Sequence, residues 1–242
     1  MTSCEGEMSW PCYPIHALLY NQNANNLQEI LTYLIELEPS SVHMLDGNDS
    51  TPLHVVCENK NVSLDIVHFI YYKWPEAIML RDDPYEALPI HKLCHNEMVD
   101  DNQSLDILQF MINIDPTMVR VDDEESNLPL HNALTCKPFA FCKVLIDLYP
   151  ESLKETTAMN GYLPIHMCCK SKTTDMRDAL RYVLKIYPEG INVRDSFGQL
   201  PIHRAAAEGS VDGLELYLCM ILMLQREKYY ISEHGIIDYH CI

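Results

Sequence analysis

One tetrapeptide constrains this chain more than any other feature: it returns six times along the 242 residues, each time with proline second and histidine last. Successive prolines are 38, 37, 40, 35 and 37 residues apart. A near-constant period of this length indicates a repeat protein, in which each unit buries its apolar face only against its neighbours. The six copies are YPIH (13–16), TPLH (51–54), LPIH (88–91), LPLH (128–131), LPIH (163–166) and LPIH (200–203).

A second proline follows inside each of the first five units. The residues nine, eight, five and four places before it are apolar in every unit, which is the spacing of one face of an α-helix. The leading proline suits the first turn of a helix, whereas the second one cannot donate a hydrogen bond and ends a helix. The second prolines are Pro39, Pro75, Pro116, Pro150 and Pro188.

The rest of each unit divides into a loop of variable length and a polar segment. Segments such as MLDGNDST (44–51) and VRDSFGQ (193–199) are rich in residues that form β-turns. The predicted unit is therefore helix, variable loop, helix and extended turn or β-hairpin. In the third unit we place the surplus residues in the loop NEMVDDNQ (96–103).

These features resemble the ankyrin repeat family. The tetrapeptides, the small residues after them (205–207) and the turn D-x-x-G-x-L-P-I-H (195–203) carry the resemblance. It implies an all-α-dominated repeat solenoid of stacked helix–loop–helix units that binds another protein. We expect a tail at 1–12, one array over 13–224 with units starting near 13, 51, 88, 128, 163 and 200, and an irregular C-terminal cap or tail at 225–242.

Two departures from the family pattern carry expectations of their own. Only Thr51 is the threonine expected before the proline, so the other five units, with leucine or tyrosine there, lose a helix cap worth about 1 kcal/mol unless another group replaces it. The last unit runs into the apolar segment Leu216–Leu224, where a terminal repeat should have a polar outer face. That end is expected to be capped by the residues after it, to self-associate or meet a partner, or to continue into a longer array.

A histidine in a short motif could act in catalysis or metal binding, but the number of copies in this chain argues against both. Six regularly spaced copies make no sense as catalytic bases, and the resemblance implies that each one hydrogen-bonds backbone between neighbouring turns. Three units also carry H-x-x-C, the spacing of half a zinc site. Other units place Leu19, Leu134 or Ala206 where the cysteine stands, which indicates a core position. The six histidines are His16, His54, His91, His131, His166 and His203.

Composition excludes several function classes. The formal net charge of −18 disfavours nucleic acids and anionic membranes as partners. The longest apolar run, nine residues, is about half of a membrane span, and the first twelve residues lack the pattern of a secretory signal. We therefore expect an intracellular protein, cytoplasmic or nuclear, with ten reduced cysteines. Glycine-rich phosphate loops and a G-x-S-x-G elbow are absent from the sequence, so we expect neither an enzyme nor a bound cofactor.

The candidate partner-binding residues are acidic and lie in the predicted turns. They favour a protein partner with a basic segment, although a solvated acidic edge would have the same composition. Two alternatives stay open: a fragment or regulatory part of a larger repeat protein whose activity lies elsewhere, and a thiol- or metal-sensing protein. The candidates are Asp46, Asp82, Asp83, Glu86, Asp122, Asp123, Glu124 and Asp195.

Overall fold

The structure is a computed structural model that describes residues 13–169 and 175–207. Over these residues the chain is helix-dominated, and the predictions for residues 1–12 and for the C-terminal segment from 208 onward lie outside them. The described α-helices are α1 (Pro14–Tyr20), α2 (Leu27–Leu37), α3 (Pro52–Glu58), α4 (Leu64–Lys73), α5 (Pro89–His95), α6 (Asp101–Ile114), α7 (Pro129–Cys136), α8 (Phe139–Leu148), α9 (Pro164–Cys168), α10 (Met176–Ile186) and α11 (Pro201–Ala207).

Each leading proline is the first residue of a helix, as predicted, but the missing caps are replaced by a different bond. At Thr51 the hydroxyl accepts a hydrogen bond from the backbone N–H of His54 at 3.3 Å. Where leucine stands instead, the histidine N–H donates to the leucine carbonyl, at 2.9 Å from His91 to Leu88. This tighter first turn satisfies a donor that an uncapped helix would leave unpaired.

The second helix of each unit ends two residues before the second proline, in agreement with the sequence prediction. That proline then begins a short 3₁₀-helix, which the sequence prediction missed. In the third unit the predicted loop 96–103 is too long, because α6 already begins at Asp101. The 3₁₀-helices are Pro39–His43, Pro75–Met79, Pro116–Arg120, Pro150–Lys154 and Pro188–Asn192.

The first helices of successive units pack side by side: α3 contacts α1 and α5, α7 contacts α5 and α9, and α11 contacts α9. The apolar positions of the second helices complete one continuous core. Seventeen of the twenty positions counted back from the second prolines are buried, and Ile30, Leu34 and Tyr71 are the exceptions. Among the described helices, none has both the length and the apolar character needed to cross a bilayer.

A second set of contacts joins neighbouring units at the 3₁₀-helices. At three described junctions, the last residue of one 3₁₀-helix lies over the aromatic residue that precedes the second proline of the next unit. The ring of His43 lies 5.2 Å from that of Trp74, and the charged groups of Arg120 and Lys154 lie 4.4 and 5.7 Å from the Tyr149 and Tyr187 rings. Attraction between a cation and an aromatic face stabilises the Arg120 and Lys154 junctions.

A third set of contacts joins the carboxyl ends of the first helices. The Asn96 amide donates to the carbonyls of Cys57 and Asn59 at 2.9 and 3.1 Å. In the next unit Lys137 takes the same place, and its Nζ donates to the carbonyl of Asn96 at 2.6 Å. Each side chain therefore satisfies helix-end carbonyls of the preceding unit, which have no partner within their own helix.

Candidate functional site

The tetrapeptide histidines lie between units and make two bonds each where the geometry is complete. Their Nδ1 atoms accept from the backbone N–H three residues earlier, at 3.0 Å for Leu88 to His91 and 3.1 Å for Leu128 to His131. Because Nδ1 accepts, the proton sits on Nε2, which donates to a carbonyl in or beside the next turn. The Nε2 bonds run from His16, His54, His91 and His131 to Ser50, Ala87, Val121 and Glu155, at 3.0–3.2 Å.

Burial keeps five of these imidazoles neutral, those of His16, His54, His91, His131 and His166. Desolvation lowers the pKa of both His54 and His131 from 6.5 to about 4. Burial likewise lowers the pKa of His16, His91 and His166. His54, His91 and His131 have both ring nitrogens bonded to backbone, so they have no free lone pair for a substrate or a metal. Nδ1 of His16 and Nε2 of His166 are buried without a hydrogen-bond partner among the described residues.

The H-x-x-C cysteines are core residues in all three units. Cys57, Cys94 and Cys169 are buried, and burial raises the pKa of their thiols, to about 12 for Cys169. Over the described part of the chain, no cluster of three or more His, Cys, Asp or Glu side chains is arranged to hold a metal ion.

The five described turns share one internal hydrogen-bond pattern that the sequence analysis missed. The first residue of each turn accepts backbone N–H donors from later in the same turn. Asp123 Oδ1 accepts from Glu125 and Asn127 at 3.0 and 2.8 Å. Thr157 Oγ1 takes this place in the fourth turn and accepts from Tyr162 at 3.1 Å. The turns, named turn 1 to turn 5, are 46–50, 82–87, 123–127, 157–162 and 195–199.

This pattern divides the eight predicted acidic residues into two groups. The carboxylates of Asp46, Asp82, Asp123 and Asp195 bond inward, and three of these residues are buried whereas Asp123 is half-buried. Asp82 also forms a buried ion pair with Lys92 at 2.7 Å. The second group is exposed and consists of Asp83, Glu86, Asp122 and Glu124.

Hydrogen bonding also decides the charge state of the first carboxylate in the series. Burial alone would raise the pKa of Asp46, but bonds from the Tyr20 hydroxyl and the backbone of Asn48 and Ser50 outweigh it and lower the pKa. The carboxylate is therefore charged at neutral pH, and it already accepts hydrogen bonds from its own turn and from Tyr20 on α1.

One backbone hydrogen bond connects each turn to the next. The N–H of Asp83 donates to Asn48 at 2.7 Å, and the N–H of Glu124 donates to Tyr85 at 2.8 Å. Ala158 and Ser196 donate to the turns before them in the same way. Arg81 adds a second connection between turns 2 and 3, because its Nη1 donates to the carbonyls of Glu86 and Asp122 at 2.7 Å each. The exposed carboxylates are thus held on a hydrogen-bonded backbone.

A groove beside turns 3 and 4 was not apparent from the sequence. It has a volume of about 290 Å³ and lies between these turns and the first helices α5, α7 and α9. The carboxylates of Glu97 and Glu125 lie at this groove together with Met159, whose side chain is 70% exposed. Its residues come from three units, so only stacking brings them together.

Comparison with known proteins shows partial similarity to a curated protein and to solved structures. No protein-family model matches the chain. A protein named NAD-dependent deacetylase sir2B from Dictyostelium discoideum is 27% identical over 227 residues, which is 88% of this chain but only 27% of that protein's length. This chain therefore spans about a quarter of that relative.

One structural similarity is to a chain from the complex of the Bd0816 predatory endopeptidase of Bdellovibrio bacteriovorus with immunity protein Bd3460. The TM-score is 0.63 at 13% identity, over 84% of this chain and 95% of that one. At this identity the similarity concerns the helical fold alone.

Replacing Asp123 with alanine is expected to destabilise the protein, whereas replacing its neighbour Asp122 is not. Asp123→Ala leaves two backbone N–H groups without their acceptor, which costs about 1–3 kcal/mol. Asp122→Ala removes an exposed carboxylate and should change the free energy of unfolding by less than about 0.5 kcal/mol. Urea denaturation followed by circular dichroism measures both, and equal effects would contradict the division into two groups.

Acidification is expected to destabilise the protein through its buried histidines. A lowered pKa means that the unfolded state binds protons first, so stability falls as the pH drops below 6.5. With a folded-state pKa of about 4, His54 and His131 each cost about 2 kcal/mol at pH 5. Urea denaturation at pH 7.5, 6.5, 5.5 and 5 measures this loss.

Two variants test whether the buried histidines cause this loss of stability. His131→Asn should be less stable at pH 7.5 but lose less stability on acidification, and the exposed control His95→Asn should follow the wild type. A free energy of unfolding that does not change between pH 7.5 and 5 would refute this account.

Proposed function

We propose that this chain is an ankyrin-type repeat solenoid that acts as a non-catalytic protein-interaction module, and that its acidic turns bind a basic segment of a partner. The observation that carries the proposal is the exposed carboxylate cluster in and directly beside turns 2 and 3. It consists of Asp83, Glu86, Asp122, Glu124 and Glu125. Repeat proteins of this kind bind through an extended surface formed by successive units.

Charge and rigidity support this proposal. The base nearest the cluster in the two turns, Arg81, already bonds to two turn carbonyls and lies 3.6 and 3.9 Å from the carboxylates of Glu86 and Asp122. Excess negative charge therefore faces solvent there. Because the turns are hydrogen-bonded to one another, a partner would lose less binding energy to ordering this surface.

The groove beside turns 3 and 4 extends the same surface. Glu125 belongs both to the carboxylate cluster and to the groove lining. Exposed Met159 and the half-buried Met167 add adaptable apolar contacts at the same place. A peptide with a basic and an apolar part would meet the cluster with the first and the groove with the second.

Reversing the charge of four exposed acids tests the proposal. The variant is Asp83→Lys/Glu86→Lys/Asp122→Lys/Glu124→Lys, and the control reverses four exposed acids outside the turns, Glu76, Asp106, Glu151 and Glu189. We expect a fluorescent dodecalysine peptide to bind the wild type and the control variant at 50 mM salt and to bind the turn variant at least tenfold more weakly.

The same three proteins then serve as baits in a cell extract at low and moderate salt. Partners that the wild type and the control retain and the turn variant loses would be the physiological ligands. If the turn variant and the control bind dodecalysine with equal affinity, net charge rather than the turn cluster explains the binding, and the proposed site is refuted.

A second candidate function follows from the similarity to the Dictyostelium protein. Because this chain matches only 27% of a protein named as a NAD-dependent deacetylase, the equivalent segment would be a recognition part of a larger polypeptide. The sequence of this chain contains no glycine-rich dinucleotide-binding motif. In this view the chain supplies binding and another part supplies chemistry.

A direct assay separates this view from catalysis by the chain itself. The isolated chain, incubated with NAD and an acetyl-lysine peptide, is expected to release nicotinamide no faster than buffer does. A known deacetylase in the same assay is the positive control. Release above the buffer rate that scales with the concentration of this chain would contradict a purely non-catalytic role.

A further inference from the structure

The second helix of the first unit exposes positions that are covered in the other described units. The residue nine places before the second proline is 42% exposed in α2, where it is Ile30. At the same position the exposure is 4% for Ile66 and 0% for both Ile107 and Phe141. Leu34 is likewise only half-buried, whereas its four equivalents are buried.

The position six places before the second proline, which is aromatic in four of the five units, shows what covers this face elsewhere. In α10 it is Tyr182, whose hydroxyl donates to Asp147 and whose ring lies 5.2 Å from the Lys143 ammonium and 5.5 Å from the Phe139 ring. All three partners lie on α8, the second helix of the preceding unit. A neighbouring helix is therefore what this face accommodates.

In α2 the same position is Tyr33, which is 64% exposed. Together with Ile30 and Leu37 it forms an i, i+3, i+7 stripe, which we call the α2 face. This is the spacing that one helix presents to another. The repeated unit thus specifies the geometry of the missing partner, although it does not specify its charge.

The charges around the α2 face indicate which charge the partner carries. Glu29 and Glu36 are exposed on the same helix, and the sequence contains no lysine or arginine before Lys60. A second copy packed symmetrically on the α2 face would bring these carboxylates against their own counterparts, which costs free energy. We propose that the α2 face docks an amphipathic helix of a partner protein, with lysine or arginine flanking its apolar stripe.

The probe is a fluorescein-labelled 18-residue helix of leucine and lysine, with leucines at i, i+3, i+4 and i+7. Two control peptides replace every lysine with glutamate or scramble the leucine spacing. We expect the wild type to bind the leucine–lysine helix in an anisotropy titration and to bind both control peptides at least tenfold more weakly.

The variant Ile30→Ser/Tyr33→Ser should bind this helix at least tenfold more weakly, because it removes the stripe without changing charge. Its matched control, Tyr72→Ser/Leu148→Ser, removes one exposed tyrosine and one partly exposed aliphatic residue elsewhere and should bind like the wild type. Glu29→Lys/Glu36→Lys should transfer the preference to the leucine–glutamate helix. Circular dichroism and urea denaturation establish that each variant is folded.

Other results would overturn the proposal. If the fourfold turn variant no longer binds the leucine–lysine peptide and Ile30→Ser/Tyr33→Ser still binds it, the peptide binds the acidic turns instead. If light scattering finds a dimer that Ile30→Ser/Tyr33→Ser converts to a monomer, the occupant is a second copy. If the helix binds only after residues 2–12 are deleted, the occupant is that segment. If dodecalysine does not bind the turns while the leucine–lysine helix still binds the α2 face, only the turn proposal is refuted.

Discussion

The hydrogen bond from a buried, neutral histidine to the turn of the next unit is the interaction on which the described structure depends. The same ring also accepts the N–H at the start of its own helix, as His54 does from Thr51 at 3.2 Å. One side chain therefore orients a helix start, fixes its own tautomer and positions the neighbouring turn. Burial supports this arrangement because it keeps the imidazole uncharged near neutral pH.

The turns illustrate how one residue type can serve structure and recognition at adjacent positions. Asp82 is buried and bonds within its turn and to Lys92, whereas Asp83 faces solvent. Inward carboxylates accept backbone donors that would otherwise be unpaired, so they hold the shape of the turn. That shape in turn presents the outward carboxylates at fixed positions, which is why acidic composition alone overstates the number of residues free to bind.

Because the units repeat, differences in burial between equivalent positions show which contacts a unit makes. Where five units carry the same apolar position, burial in four of them defines the contact that the fifth lacks. The contrast between Ile30 and Ile107 is of this kind, and exposed Tyr33 contrasts with the half-buried Tyr182 at its equivalent position. The equivalent contacts also differ chemically: Arg120 and Lys154 lie over aromatic rings where the first unit uses His43. The units therefore resemble one another more in backbone structure than in the residue types at equivalent contacts.

Much of the fold could be predicted from the sequence because proline acts locally. Pro52 begins a helix and Pro75 follows the end of one, as their missing N–H groups require. The 3₁₀-helices after the second prolines were missed, although the same local rule, that proline suits the first turn of a helix, indicates them. The turn role of Thr157 was missed because a threonine replaces the aspartate that marks the other turns.

The sequence by itself therefore determined the period, the helix starts, the apolar faces and the excess of acid. Only the tertiary structure decided which carboxylates face solvent, that Glu97, Glu125 and Met159 share a groove, and that the α2 face is exposed among the described residues. The physical reason is that helix starts and stops depend on groups within a few residues. Burial and access depend on units about 35 to 40 residues apart in sequence, which meet only when they stack.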